Sequence, residues 1–87
     1  MTDSADAVVG RNVHVLMWRA GMPQRTLAVA LDLDQSALSK KLHGRRTWTV
    51  DELLATALVL QVDVAELLPG SDYEPRPAGR GRIVEHL

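Results

Sequence analysis

The residues of this chain that could do chemistry are concentrated between Gln24 and Trp48. Gln35, Ser36, Ser39 and Lys40 sit close together there. A glutamine amide can hold adenine through two hydrogen bonds, a lysine reaches guanine O6 and N7, and a serine hydroxyl donates or accepts. Lys41, His43, Arg45 and Arg46 follow at once, and cations of this kind pair with phosphate oxygens. Asp32 and Asp34 are the acids that precede them. The whole chain has 10 Lys and Arg against 11 Asp and Glu, a formal charge of -1. Bulk charge therefore attracts no polyanion, and a local basic face has to do so. The expectation is a surface on which Gln35, Ser36, Ser39 and Lys40 read base edges. Lys41, His43, Arg45 and Arg46 would grip the phosphates alongside.

Other chemistries lack their residues. There is no cysteine, which removes disulfides, thiolate metal sites and cysteine nucleophiles. His14, His43 and His86 do not have metal-ligand spacing. Ser36, Ser39 and Lys40 do not form a Ser-x-x-Lys arrangement, and there is no Gly-x-Ser-x-Gly elbow or phosphate-cradling glycine loop. No catalytic residue, metal, cofactor or small-molecule ligand is expected. No apolar run is long enough for a membrane span, and Asp3 and Asp6 leave no signal-peptide core, so a cytoplasmic protein without membrane contact is expected.

The elements that must position these residues are helical. At 87 residues the chain has room for one modest core, and 46% hydrophobic residues make it globular. Phe is absent, so that core must be Leu, Val, Ala and Met. A first helix is predicted from about Ser4 to Ala20, with Val9, Val13, Leu16, Met17 and Ala20 as its apolar stripe. Asp3 or Ser4 caps it and Gly21 stops it. A second runs from about Pro23 to Leu31, burying Leu27, Ala28 and Leu31. Only Asp32, Leu33 and Asp34 separate it from a third, which Asp34 caps and which ends at His43 before Gly44. Ala37, Leu38 and Leu42 should face the bundle. Thr49-Val50-Asp51-Glu52 reads as a capping box, with Trp48 and Leu53 as its hydrophobic staple. The helix it opens should bury Leu53, Leu54, Ala57 and Leu58. Asp63-Val64-Ala65-Glu66 reads as a second box, opening a fifth short helix that ends at Pro69-Gly70. From Gly70 the composition turns to Gly, Pro, Arg and Ser, a flexible arm. The expected architecture is all-α, a compact five-helix domain over residues 1–69 with a C-terminal arm or dimerisation tail over 70–87.

Two short helices joined by so brief a turn, the second opening with polar residues, form a helix-turn-helix unit whose second helix enters the major groove. The run Gly21-Met22-Pro23-Gln24-Arg25-Thr26-Leu27-Ala28 and the run Leu33-Asp34-Gln35-Ser36-Ala37-Leu38-Ser39-Lys40 carry the likeness. With Gly44, Leu53, Ala57, Leu60, Val62 and Leu67 they resemble the Cro/C1-type (XRE) regulators of phage and bacteria over about Val13 to Leu68. The resemblance implies a lambda-repressor-like fold. It places base reading on Gln35, Ser36 and Lys40 with Ser39 beside them. It also has Gln24 bind phosphate while buttressing Gln35, and gives His43, Arg45 and Arg46 backbone contacts. Four positions depart from the family. Pro23 replaces a capping Ser or Thr. Met17 and Leu42 stand where an Arg–Glu pair is often buried. Lys41 takes a usually apolar place, which implies a rotated helix or a side chain that snorkels to a phosphate. Gln61 replaces a glycine after the fourth helix.

The resemblance implies a sequence-specific regulator of double-stranded DNA, a phage or prophage Cro/immunity-type repressor on a palindromic operator. A homodimer would match such a site, with Val64, Leu67, Leu68, Ile83 and Val84 as candidate interface residues. The alternative is an antitoxin-type module that binds a protein partner and autoregulates its operon.

Overall fold

A computed structural model describes residues 3–75 of the chain. Helix α1 spans Ala5–Ala20, α2 Gln24–Ala30, α3 Gln35–Leu42 and α4 Val50–Leu60, followed by a 3-10 turn at Val64–Glu66. The described residues are thus all-helical, with four α-helices where the sequence pattern predicts five.

Local chemistry sets most of the boundaries. The Ser4 hydroxyl accepts from the Ala7 N–H and starts α1. Gly21 ends it at φ 67°, where its N–H and that of Met22 return to the carbonyls of Trp18 and Met17. Helix α2 begins after Pro23 with no side-chain cap, as the missing Ser or Thr implies. Asp34 caps α3 by accepting from the Ala37 N–H at 2.7 Å. The Thr49 box is complete. Its hydroxyl accepts from the Glu52 N–H at 3.0 Å, and the Glu52 carboxylate accepts from the Thr49 N–H at 2.9 Å. The second box does not form, because Asp63 makes no side-chain cap bond. Instead the Asn12 amide donates to the carbonyls of Leu67 and Leu68 at 3.1 and 3.4 Å, drawing the chain onto α1. Pro69 then prevents a further helical turn.

The core is one cluster. Val9, Val13 and Met17 of α1 meet Leu27 and Ala28 of α2, Leu38 and Leu42 of α3, Ala57 and Leu60 of α4, together with Trp48 and Leu67. Three sequence expectations fail here. Ala20 is exposed at the end of α1, where the chain turns away. Leu54 and Leu58 are 53% and 78% exposed, because α4 meets the bundle along the side carrying Thr56, Ala57 and Leu60. Leu67, a candidate interface residue, is wholly buried in this core and is not available to a partner.

Gly10 allows α1 and α3 to cross closely. A Cβ built there would stand 2.5 Å from the carbonyl oxygen of Leu42 and 2.6 Å from that of Lys41. Met17 and Leu42 are both buried, so apolar packing occupies the positions where the resembled family often has an ion pair. Gln61 is left-handed at φ 59°, the conformation a glycine would take without strain.

Candidate nucleic-acid interface

Helix α3 has two unlike sides. Leu38 and Leu42 are buried, Ala37 is half-buried, and Gln35, Ser36 and Lys40 are exposed with Ser39 half-buried beside them. A residue every 100° places Gln35, Ser36, Ser39 and Lys40 along one edge, since the opposite arc is committed to the core. The turn that orients this edge is short. Leu33 N–H returns to the Ala28 carbonyl at 2.9 Å, Asp32 N–H to Val29 at 3.1 Å, and Asp32 takes the left-handed conformation at φ 58°. Aspartate tolerates that region better than most side chains. Gln24, at the first position of α2, is half-buried.

Past α3 the chain turns through Gly44, at φ 75°, and exposes His43, Arg45, Arg46 and Thr47. The His43 ring Nδ1 lies 2.8 Å from the Ser39 carbonyl oxygen, which holds the imidazole against the end of the helix. Arg45 and Arg46 stand free of ion pairs among the described residues. With Lys40 they form a cationic strip running off the end of the polar edge.

Lys41 does not belong to that strip. It is 5% exposed, and its ammonium donates to the Thr47 carbonyl at 2.6 Å and pairs with the Glu52 carboxylate at 2.9 Å. The expected phosphate contact is therefore corrected. Desolvation inside the bundle would be costly for a lone charge, so the side chain reaches a carboxylate and a carbonyl at hand. Around it, the Trp48 indole N–H donates to the Lys41 carbonyl at 3.2 Å and the Trp48 N–H donates to Asp6 at 2.8 Å. Burial works to raise the Glu52 carboxyl pKa. The Thr49 N–H, the Lys41 ammonium by hydrogen bond and charge, and the Thr49 hydroxyl outweigh it and hold the group below its ordinary value of 4.5. This network ties α1, the end of α3 and the start of α4 to the loop carrying Arg45 and Arg46.

Sequence reasoning missed Asp6, Asn12 and Gly10, which act through contacts distant in the chain. A signal for Lys41 was present: a lysine on an apolar face, eleven residues before a capping-box glutamate. Val64 is half-buried and Leu68 exposed. Ile83 and Val84 lie outside the described residues. Among the described residues no group of His, Asp or Glu side chains is arranged to hold a metal ion, and no helix is long and apolar enough to cross a membrane.

A small all-helical body that follows a short turn with a polar-edged helix is a helix-turn-helix domain of the Cro/C1 type. The chain belongs to the BetR domain family, whose model matches residues 4–82. Solved structures share the fold. The restriction-modification controller protein C.AhdI from Aeromonas hydrophila is 27% identical, with 71% of this chain and 94% of that chain covered and a TM-score of 0.66. The clp gene regulator ClgR from C. glutamicum is 22% identical, covering 71% of this chain and 80% of that one at a TM-score of 0.67. A hypothetical transcription factor, NHTF, from Neisseria is 24% identical over 78% of each chain at a TM-score of 0.69. No curated protein matches the sequence.

Proposed function

We propose that this protein is a sequence-specific regulator that binds double-stranded DNA by placing α3 in the major groove. The observation that carries the reading is the division of α3. Its apolar side is consumed by the core, while Gln35, Ser36, Ser39 and Lys40 remain on an edge that continues into Arg45 and Arg46. The base-reading role falls to those four residues. Gln24, His43, Arg45 and Arg46 hold the phosphates, and Lys41 positions their loop from inside. The regulators among the structural neighbours support this reading through the shared fold.

The regulator acts as a homodimer on a palindromic site, the two α3 helices about one DNA turn apart. Helix α4 supports this. Val50, Leu54 and Leu58 recur every fourth residue and are 70%, 53% and 78% exposed. A helix that is apolar on both sides needs cover on both, and the bundle covers one. The stripe starts just after the basic loop, so a two-fold axis beside it presents both copies of α3 to the same duplex. Its exposed apolar area, on the order of 300–400 Å², predicts a weak dimer completed on DNA. Val64 and Leu68 are secondary candidates. The finer reading is a Cro/immunity-type repressor of phage or prophage, and an operator that overlaps a promoter would support its repressing role. The body is taken as residues 1–69 and the remainder as an arm.

Selection of bound duplexes from a random pool tests the proposal. The expected product is a palindrome. Lys40→Ala should relax one base pair per half-site at a cost of about 1–3 kcal/mol, and Arg46→Ala should weaken all sequences alike. A pool that yields no consensus, or variants that bind like the parent, refutes it.

A further inference from the structure

The outer face of α1 has no part in the DNA reading or in the α4 stripe. Arg11, His14, Val15 and Trp18 fall at i, i+3, i+4 and i+7 and line an open cleft of about 260 Å³. Trp18 is 80% exposed and Val15 42%. On its other flank the same indole borders a second cleft, of about 270 Å³, with Met17, Gly21, Met22 and Pro23. Trp18 is thus a ridge between two hollows. The opposite side of α1 carries Val9, Gly10, Val13 and Met17, against which α3 packs. The cleft therefore faces away from the edge assigned to DNA and stays open in a complex.

We propose that this face is a docking site for an acidic peptide segment of another protein, one that sets an apolar side chain beside Trp18 and a carboxylate on Arg11 and His14. Large exposed aromatics ringed by polar groups are the usual anchors of such contacts. The polar groups lining the cleft are the Arg11 guanidinium and the His14 imidazole, both able to donate to a carboxylate, with no acid among them. Arg11 holds Asp3 at 2.8 Å, but both side chains are more than half exposed, so a partner carboxylate can exchange for Asp3 at little cost. The neighbouring groove is lined by Arg19 and Glu66 together, one cation and one acid, so it carries no such preference. Two other occupants fit worse. A second copy of this face brings no carboxylate from its own lining to meet Arg11. Residues 76–87 of this chain carry Arg76, Arg80 and Arg82 against the single acid Glu85.

The test pans a displayed library of random 12-residue peptides on the full chain and, in parallel, on Trp18→Ala. The substitution is exposed and installs a stronger helix former, and far-UV circular dichroism checks that the fold survives. The basic DNA-facing strip is common to both proteins, so peptides drawn to it cancel. The expected result is a set pairing Leu, Phe or Trp with Asp or Glu, retained about tenfold better by the parent than by Trp18→Ala. Arg11→Glu should lose the same peptides. The proposal is overturned if no peptide separates the two proteins, if the separating peptides are basic, or if Trp18→Ala instead abolishes self-association.

Discussion

Replacing Lys41 by methionine separates two roles that a lysine near a DNA-facing loop could have. If the side chain clamps phosphate, its loss weakens binding and lowers the salt dependence by about 0.9 in the slope of log K against log salt. The geometry assigns it to the interior, where its ammonium satisfies both Glu52 and the Thr47 carbonyl. Removing one member of a buried pair commonly costs about 3–5 kcal/mol. Glu52 keeps the Thr49 N–H and is partly reached by water. The expected loss for Lys41→Met is therefore about 2–3 kcal/mol, out of a total of about 4–13 kcal/mol for a chain this long. That is a fall in Tm of roughly 10–20 °C. Adding Glu52→Gln should recover part of the loss, since the carboxylate left alone is what makes the single change severe. Urea titration followed by Trp fluorescence gives the stability, and gel-shift titrations across salt at low temperature give the slope. Stability equal to the parent together with a slope reduced by about one unit would refute the interior assignment.

Other outcomes follow from single features. Gly10→Ala should lose about 1–3 kcal/mol by chemical denaturation, despite the helix-forming gain, because the new methyl meets two backbone carbonyls that cannot rotate away. Gln61→Gly should gain about 0.5–1 kcal/mol by relieving a left-handed residue, seen as a higher Tm. Glu52 is held below 4.5 in the fold, so its contribution is complete above that pH and is lost as pH falls through the lowered value. Acid titration of the parent against Glu52→Gln should show the difference shrinking below pH 4.5.

The helices and their ends were legible in the chain because caps, stops and apolar periods are local. Ser4, Gly21, Asp34 and the Thr49–Glu52 box act within four residues of where they stand. The polar edge of α3 was legible for the same reason: once Leu38 and Leu42 face inward, Gln35, Ser36 and Lys40 must face out. Tertiary packing decided the rest. Leu54 and Leu58 look like core by residue type, and only the side on which α4 meets the bundle leaves them in water. Lys41 looks like surface by residue type, and only the approach of Glu52 and Thr47 makes its burial tolerable. At Val64–Glu66 the chain makes only a 3-10 turn, and the contact that holds the segment after it comes from Asn12, 55 residues from the Leu67 carbonyl it meets. Side-chain type states what a group needs, whereas which neighbour meets that need depends on helix crossings that no local pattern contains.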